Sequence, residues 1–406
     1  MLDILRIRED FPILAEQIHS HPLVYLDNAA TMQVPQPVLD AVNAHYHHSN
    51  ANVHRGVHTL SARSTDALER ARHTAAAFVG AQWDDEIIFT SGTTASVNLV
   101  ASALSCGRLG PGDEVIVAEQ EHHSNLVPWQ EACRRTGARL RIWPVSERGE
   151  MELSALAPLL GERTALVACA WVSNVTGAVA PVQELCAMAH NAGAQVLLDG
   201  AQAMKLGVTD VQALGCDYLA FSGHKLGALT GIGVLYGRRG CLGALPPTAF
   251  GGGMIDQVEL GRATFGPLPL RLEAGTPNYV GAISLAAALD YLTALGLPVI
   301  AAQEDTLTAE CRALLSAIPG VQLLGSPSRC SGAVSFTVPG VHPFDIGALL
   351  DAQGVAVRTG HLCAMPLLTR FGLDSVVRVS PAFYNTQQEL RSFCAALEKA
   401  LALLQK

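Results

Sequence analysis

The chain has 406 residues, 49% of them hydrophobic and 16% charged, a composition that excludes intrinsic disorder and allows two domains, or three, around a large aliphatic core. Its formal charge of -9 arises from 27 Lys+Arg against 36 Asp+Glu scattered along the sequence; no basic stripe offers phosphate neutralisation, so a DNA or RNA partner is not expected. Residues 1–10 carry acids inside an apolar stretch and lack the layout of a secretory signal, and the most apolar C-terminal stretch, 283–302, is broken by Asp290 and Pro298, so no membrane span is expected.

From about Tyr25 to Tyr236, short β-branched runs alternate with amphipathic patterns, the signature of parallel strands joined by crossover helices. Strands are predicted at 86–90, 115–119, 140–145, 165–172, 195–199, 218–222 and 232–236, with helices at 60–78, 94–105, 125–136 and 182–191. A loop-like tract over 240–278, containing Gly251-Gly252-Gly253, leads to a second region. There the pattern predicts helices at 281–295 and 301–317, and strands near 321–324 and 333–338. A helix at 344–352, strands at 355–358 and 376–379 and a closing helix at 387–404 follow. The expected organisation is an α/β chain: a segment at 1–20 packing on the small domain, a large domain over 21–278 with a mainly parallel seven-stranded sheet, and a smaller α+β domain over 279–406.

In open parallel sheets, ligands bind at the carboxyl ends of strands. Three strand ends carry polar residues: Ser222-Gly223-His224-Lys225, Asp199-Gly200-Ala201-Gln202, and Ser91-Gly92-Thr93-Thr94 opening a helix. Singly, each has an ordinary reading as a surface lysine, a turn aspartate or an N-cap. Together, an amine, a carboxylate and a phosphate cradle at a helix N-terminus are what pyridoxal 5'-phosphate requires of a protein. Competing cofactor motifs are poorer, since no GxxxxGK[ST] occurs and Gly231-Ile232-Gly233 follows the wrong element for a dinucleotide fingerprint.

Over nearly its whole length the sequence resembles the group II (SUF-type) cysteine desulfurases of the fold-type I pyridoxal phosphate enzymes. The matching segments, in order, include Tyr25-Leu26-Asp27-Asn28-Ala29-Ala30-Thr31, Asn52-Val53-His54-Arg55, Glu121-His122-His123-Ser124-Asn125, Ser173-Asn174-Val175-Thr176-Gly177, Glu273-Ala274-Gly275-Thr276-Pro277-Asn278, Arg358-Thr359-Gly360-His361-Leu362-Cys363-Ala364 and Arg378 through Tyr384-Asn385-Thr386, besides the three strand ends. The resemblance implies that Lys225 binds the cofactor's aldehyde, Asp199 pairs with its ring nitrogen, Gln202 bonds its phenolic oxygen and His122 stacks on the ring and takes part in catalysis. Thr93, Thr94, Ser222 and His224 would belong to the phosphate side, with Thr276 supplied by the other subunit of an obligate homodimer. Asn174 would approach ring and substrate, Arg378 would clamp the substrate carboxylate in bidentate fashion, and Ala29, Arg55 and Arg358 would complete the substrate site.

Cys363 decides the reaction. The other nine of the ten cysteines form no CxxC pairs and sit in apolar patterns or in exposed turns such as Cys241 and Cys330, as expected of core thiols in a reducing cytoplasm. Cys363 instead lies in a polar loop beside Arg358 and His361, where positive charge or a helix N-terminus favours the thiolate over a free thiol ionising near about 8.5. By resemblance it would take sulfur from L-cysteine as a persulfide, release L-alanine, and pass sulfur to a small acceptor protein of the SUF/CSD type for iron–sulfur cluster assembly. Two departures stand out: Gly227-Ala228-Leu229 replaces a Gly-Pro turn and is expected to loosen the lysine loop, and Leu362 stands where many members have a second histidine. His45, His47, His48, His54 and His58 lack an accompanying Cys or acidic set, so no metal site is expected. The alternatives are a selenocysteine lyase, acting on L-selenocysteine with less dependence on Cys363, and a non-catalytic dimeric sulfur-handling scaffold.

Overall fold

Seven β-branched runs become one sheet in the computed structural model, which describes residues 2–405. In chain order they are β1 Ile87–Thr90, β2 Glu114–Ala118, β3 Arg139–Trp143, β4 Thr164–Ala170, β5 Gln195–Asp199, β6 Tyr218–Ser222 and β7 Gly233–Gly237. Their spatial order is β1-β7-β6-β5-β4-β2-β3; β7 runs antiparallel to both neighbours and the other pairs are parallel. The sheet is therefore mainly parallel, as expected. Successive side chains serve opposite faces: Val115 and Val117 join one core cluster while Ile116 and Ala118 join another.

Helices α1 Gln36–His48, α2 Thr59–Val79, α3 Thr93–Ser105, α4 Val127–Thr136 and α5 Val182–Asn191 connect and flank the strands. The tract read as loop over 240–278 holds more structure than expected: a helix at Arg239–Ala244 and a hairpin of β8 Ile255–Val258 with β9 Ala263–Phe265. Nearly every hairpin residue is exposed, so neither strand has a buried face to impose the period-two signal.

Next come α6 Tyr279–Leu295 and α7 Leu297–Ser316, then a four-stranded antiparallel sheet built from β10 Gln322–Leu323, β11 Val334–Thr337, β12 Arg358–Gly360 and β13 Val376–Val379 in the order β10-β11-β13-β12. Helices α8 Pro343–Asp351, α9 Met365–Arg370 and α10 Gln387–Leu404 complete it. Packing crosses the domain limits read from sequence. The apolar face of α6, with Ala282, Leu285 and Leu289, joins the large domain's core and packs on α1 and α2. Val24 and Leu26 belong to the small domain's core instead, because Val24–Tyr25 pairs in parallel with Val355–Ala356. The strand predicted at 355–358 is thus two strands serving two partners.

No single helix among the described residues is long and apolar enough to cross a membrane; α6 and α7 reach that composition only as a pair, bent by 81°. His45, His47 and His48 form the last turn of α1, and the His58 ring caps α2 by accepting from Ser61 N.

One buried ion pair fastens the segment after the hairpin to the sheet. Arg72, 1% exposed, donates to both oxygens of Glu273 at 2.7 and 2.9 Å, and Glu273 also accepts from Phe89 N at 2.6 Å. Removing Glu273 leaves the buried guanidinium with only the half-exposed Glu69 carboxylate at 3.4 Å and Ile87 O. Glu273→Ala is expected to lower the unfolding free energy by about 3–5 kcal/mol in urea denaturation, and a loss below about 1 kcal/mol would count against this role.

Candidate active site

The sheet delivers its polar residues to one place. Asp199 ends β5, Ser222 ends β6 and is followed by a single 3-10 turn carrying His224 and Lys225, and Thr93 opens α3 just after β1. These residues line a cavity of about 300 Å³ together with Thr94, His122, Asn174 and Gln202. The small domain adds Arg358, Leu362, Cys363 and Arg378, and the turn after the Val24–Tyr25 strand adds Ala29. Two expected residues are elsewhere: Arg55 and Thr276 line a separate cavity of about 270 Å³ with Gly252 and Gly253.

At one end of the site, Thr93 N and Thr93 Oγ1 both lie 2.8 Å from Ser222 Oγ. The approach is tight, since a Cβ on Gly233 would come within 2.5 Å of Gly92 Cα, and Gly92 itself holds φ +147. Glycine at both positions lets β7 close against the N-terminus of α3, whose first-turn N–H groups lack helical partners. Two histidines border this region. The His122 Nδ1 accepts from Ser124 N at 3.1 Å, which puts the neutral ring's proton on Nε2. The His224 Nδ1 lies 3.3 Å from Thr31 Oγ1. Burial, assisted by the Lys225 charge, pushes each imidazole down to about 4.

Lys225 and Asp199 both line the cavity and feel each other's charge. Burial lowers the lysine from its usual range and raises the aspartate from its own, and each partly offsets the other's shift. Asp199 Oδ1 accepts from Ala201 N at 2.9 Å, while Oδ2 takes no hydrogen bond from the described residues. Behind it lies Glu121, which sequence reading passed over. Fully buried, it accepts from Asn125 Nδ2 and Ala170 N, both at 2.6 Å, and burial with the nearby Asp199 charge raises it well above the usual carboxylate range. Gln202 Nε2 donates to Ala29 O at 2.7 Å.

The lysine turn is firmer than expected. Ala228 is 1% exposed and its N–H bonds Gly223 O at 3.1 Å, Leu229 N donates to Ser284 Oγ at 3.2 Å, and Met32 N donates to His224 O at 3.0 Å. Backbone bonds to neighbouring elements replace the rigidity of the missing proline.

A second overlooked residue is Asp27. Its Oδ1 lies 3.1 Å from Arg378 Nη2 and its Oδ2 lies 2.7 Å from Arg358 Nη2. Arg378, 3% exposed, also donates to Asn174 O at 3.0 Å, and its Nε has no partner among the described residues. Cys363 is half-buried on the turn between β12 and α9. Of the other thiols, Cys241 and Cys330 are not in exposed turns: Cys241 is in the helix Arg239–Ala244 with its thiol pushed up to about 11 by burial and Asp217, and Cys330 bridges to Ala178. Burial also raises Cys133, Cys169, Cys186, Cys216, Cys311 and Cys394.

This donor set fits pyridoxal phosphate. A phosphate matches the Thr93, Thr94 and Ser222 end, a cationic ring nitrogen matches the buried Asp199 with its open oxygen, and a lysine amine pushed towards neutrality matches an aldehyde.

His122 and His224, depressed in the fold, bind protons more weakly than in the unfolded chain. Their stabilising contribution is full above pH 6.5 and is lost as pH falls towards about 4, whereas Asp199 and Glu121, raised, act in the opposite sense. In a side-chain NMR titration of the cofactor-free protein, both imidazoles should remain neutral at pH 5.5 with midpoints near 4; a midpoint at or above 6.5 contradicts the burial argument.

Residues 24–393 match the family described as Aminotransferase class-V. The chain is 47% identical over 397 residues to a cysteine desulfurase of Synechococcus elongatus, covering 98% of this chain and 63% of that longer relative. A cysteine desulfurase of Dickeya dadantii is 46% identical over 400 residues, covering 98% and 97%. The crystal structure of the cysteine desulfurase CsdA from Escherichia coli superposes with a TM-score of 0.92 at 37% identity, covering 99% of both chains. This chain belongs to the aminotransferase class-V family, alongside proteins named cysteine desulfurase.

Proposed function

We propose that this chain is a pyridoxal phosphate-dependent cysteine desulfurase, converting L-cysteine to L-alanine and holding the sulfur as a persulfide on Cys363. The observation that carries the reading is one cavity holding Lys225, Asp199, Arg378 and Cys363 together. When bound, pyridoxal phosphate supplies an aldehyde for the amino group and an electron sink for charge developing at Cα.

The chain's own residues do the rest. Asp199, through its open oxygen, would pair with the ring nitrogen and favour its protonated form. Lys225, lowered from its usual range by burial, acts as the base that takes the Cα proton and later returns one. Arg378 receives the substrate carboxylate, with Asp27 and Asn174 O fixing its fork. His122, lowered to about 4 by burial, would stack on the cofactor ring without adding a cation. The Cys363 thiolate then attacks the substrate sulfur: the S–S bond forms, the substrate C–S bond breaks, and its electron pair passes to the amino-acid skeleton, which is protonated and leaves as alanine. Rejecting water from the site matters here, and burial of Arg378, Asp199 and Asn174 supports it.

The reading extends to a homodimer, a small sulfur-acceptor protein and a cytoplasmic setting. Support for the dimer comes from Arg55 and Thr276, which share a cavity away from Lys225, and from the fully exposed Val57 and Leu260 on neighbouring segments. A second copy would cover these side chains and bring Arg55 and Thr276 to the first copy's cofactor site.

Incubation with L-cysteine followed by intact-mass measurement should find one extra sulfur on the peptide carrying Cys363. Cys363→Ser should abolish it and reduce alanine release at least a hundredfold, with equal loss on L-selenocysteine arguing against a lyase. Lys225→Ala should be inactive; a colourless wild-type protein releasing no alanine would favour the scaffold. Asp27→Asn should raise KM for cysteine about tenfold with a smaller change in kcat, since it loosens the carboxylate clamp without touching Lys225 or Cys363. An unchanged KM would remove Asp27 from the clamp.

A further inference from the structure

Leu362 and Cys363 hold φ +53 and +54, consecutive left-handed residues that both carry a Cβ. Side-chain-bearing residues disfavour this region, and two in a row persist only where surrounding groups over-determine the backbone. Gly360 precedes them with φ +109, so the chain enters the turn through the one residue type that does so freely.

Two imidazoles help hold the turn, beside a backbone bond from Ala364 N to His361 O at 3.0 Å. Cys363 N donates to His361 Nδ1 at 3.0 Å, and Met365 N donates to His123 Nε2 at 3.3 Å. His123 N, from the large domain, donates to Cys363 O at 2.7 Å, and the His123 and His361 ring centroids lie 5.7 Å apart at 32°. The Asn174 Nδ2 takes up Leu362 O at 2.8 Å, while the Leu362 side chain, 8% exposed, enters the core. Each ring accepts through one nitrogen, so the neutral His361 carries its proton on Nε2 and the neutral His123 on Nδ1. These tautomers are opposite, and together they satisfy N–H groups on both sides of the Cys363 carbonyl.

We propose that His123 and His361 are positioning residues for the nucleophile: a two-imidazole acceptor clamp that locks the Cys363 turn in its left-handed form and so aims the thiol into the Lys225 cavity. Neither ring touches the reacting atoms. His123 bridges the large domain to the turn, and His361 closes the turn on itself. This rests on the assignment of Cys363 as sulfur acceptor, but the clamp has an observable of its own in the backbone. Any side chain presenting an acceptor at the same place serves: Asn Oδ1 occupies the position of His Nδ1, and Gln Oε1 that of His Nε2.

The test compares holoenzyme variants His361→Ala, His361→Asn, His123→Ala and His123→Gln. Amide hydrogen exchange of the peptide spanning 361–366 should accelerate at least tenfold in each alanine variant and stay within about threefold of wild type in the amide variants. Single-turnover persulfide formation should fall at least tenfold in the alanine variants, with KM for cysteine and the bound-cofactor absorption unchanged, and the amide variants should recover most of it. Exchange at the wild-type rate in both alanine variants overturns the clamp. Faster exchange with an unchanged persulfide rate overturns its role in aiming the thiol, as does failure of the amide variants to recover. Absence of persulfide on wild-type Cys363 would sink the desulfurase reading instead, while the exchange data still decide whether the clamp exists.

Discussion

Arg358 and Arg378 sit directly opposite one another on antiparallel strands, a placement that sets like charges against each other. Asp27 makes it tenable by giving one oxygen to each guanidinium. The consequence reaches far beyond an ion pair. Asp27 comes from the segment after the Val24–Tyr25 strand, which is stitched to the end of β13 through Asn28 N and Asn28 Nδ2 to Ser380 O, and Ala29 N to Ser380 Oγ. That segment then delivers Ala29 to the cavity wall, where its carbonyl fixes Gln202. One carboxylate against two arginines also leaves an unbalanced positive charge facing the cavity, suited to a substrate carboxylate.

The large domain carries a comparable electrostatic constraint. Lys225, Asp199 and Glu121 lie together in a desolvated region where any one of them charged alone is costly. Asp199 and Lys225 offset one another, and Glu121 is held by two short N–H bonds from Asn125 and Ala170. Asn125 is itself fixed by Trp129 Nε1 at 3.1 Å, so the network runs from the cavity floor into the core of α4. Such a network ties the segment after β2 to the end of β4, where Ala170 pairs with Asp199 in the sheet, and so supports the strand end that carries the cavity's carboxylate.

Much of this was legible in the chain. Strands β5, β6 and β13 and helices α5 and α10 have the limits that their periodicity predicts, because their burial is complete on one side or both. The three strand ends converge for the same reason: parallel strands end on one edge of the sheet. The hairpin of β8 and β9 escaped notice since it buries no face. Asp27 and Glu121 are hidden differently: each lies inside a motif, Tyr25 to Thr31 and Glu121 to Asn125, yet a lone carboxylate shows no role until the fold brings Arg378 to Asp27 and Ala170 to Glu121. Arg378 lies 351 residues from Asp27, and no local pattern encodes that contact. A missing proline predicts a loose lysine turn, whereas Ser284 and Thr31, neighbours in space alone, hold it by hydrogen bonds.

Histidines surround the cavity, yet its electrostatics treat them as dipoles. Burial holds His122 and His224 near 4, and His123 is lowered by burial and by the neighbouring His361. A neutral ring offers one donor and one acceptor in a fixed direction, which is what a stacked cofactor, a phosphate group or a strained turn can use. A cation at any of these positions would compete with Arg378 for the substrate carboxylate and with the ring nitrogen for Asp199. Burial of imidazoles therefore does more than pack the site: it reserves positive charge for the arginines and the lysine, which on the proposed reading would set which end of an amino acid enters which end of the cavity.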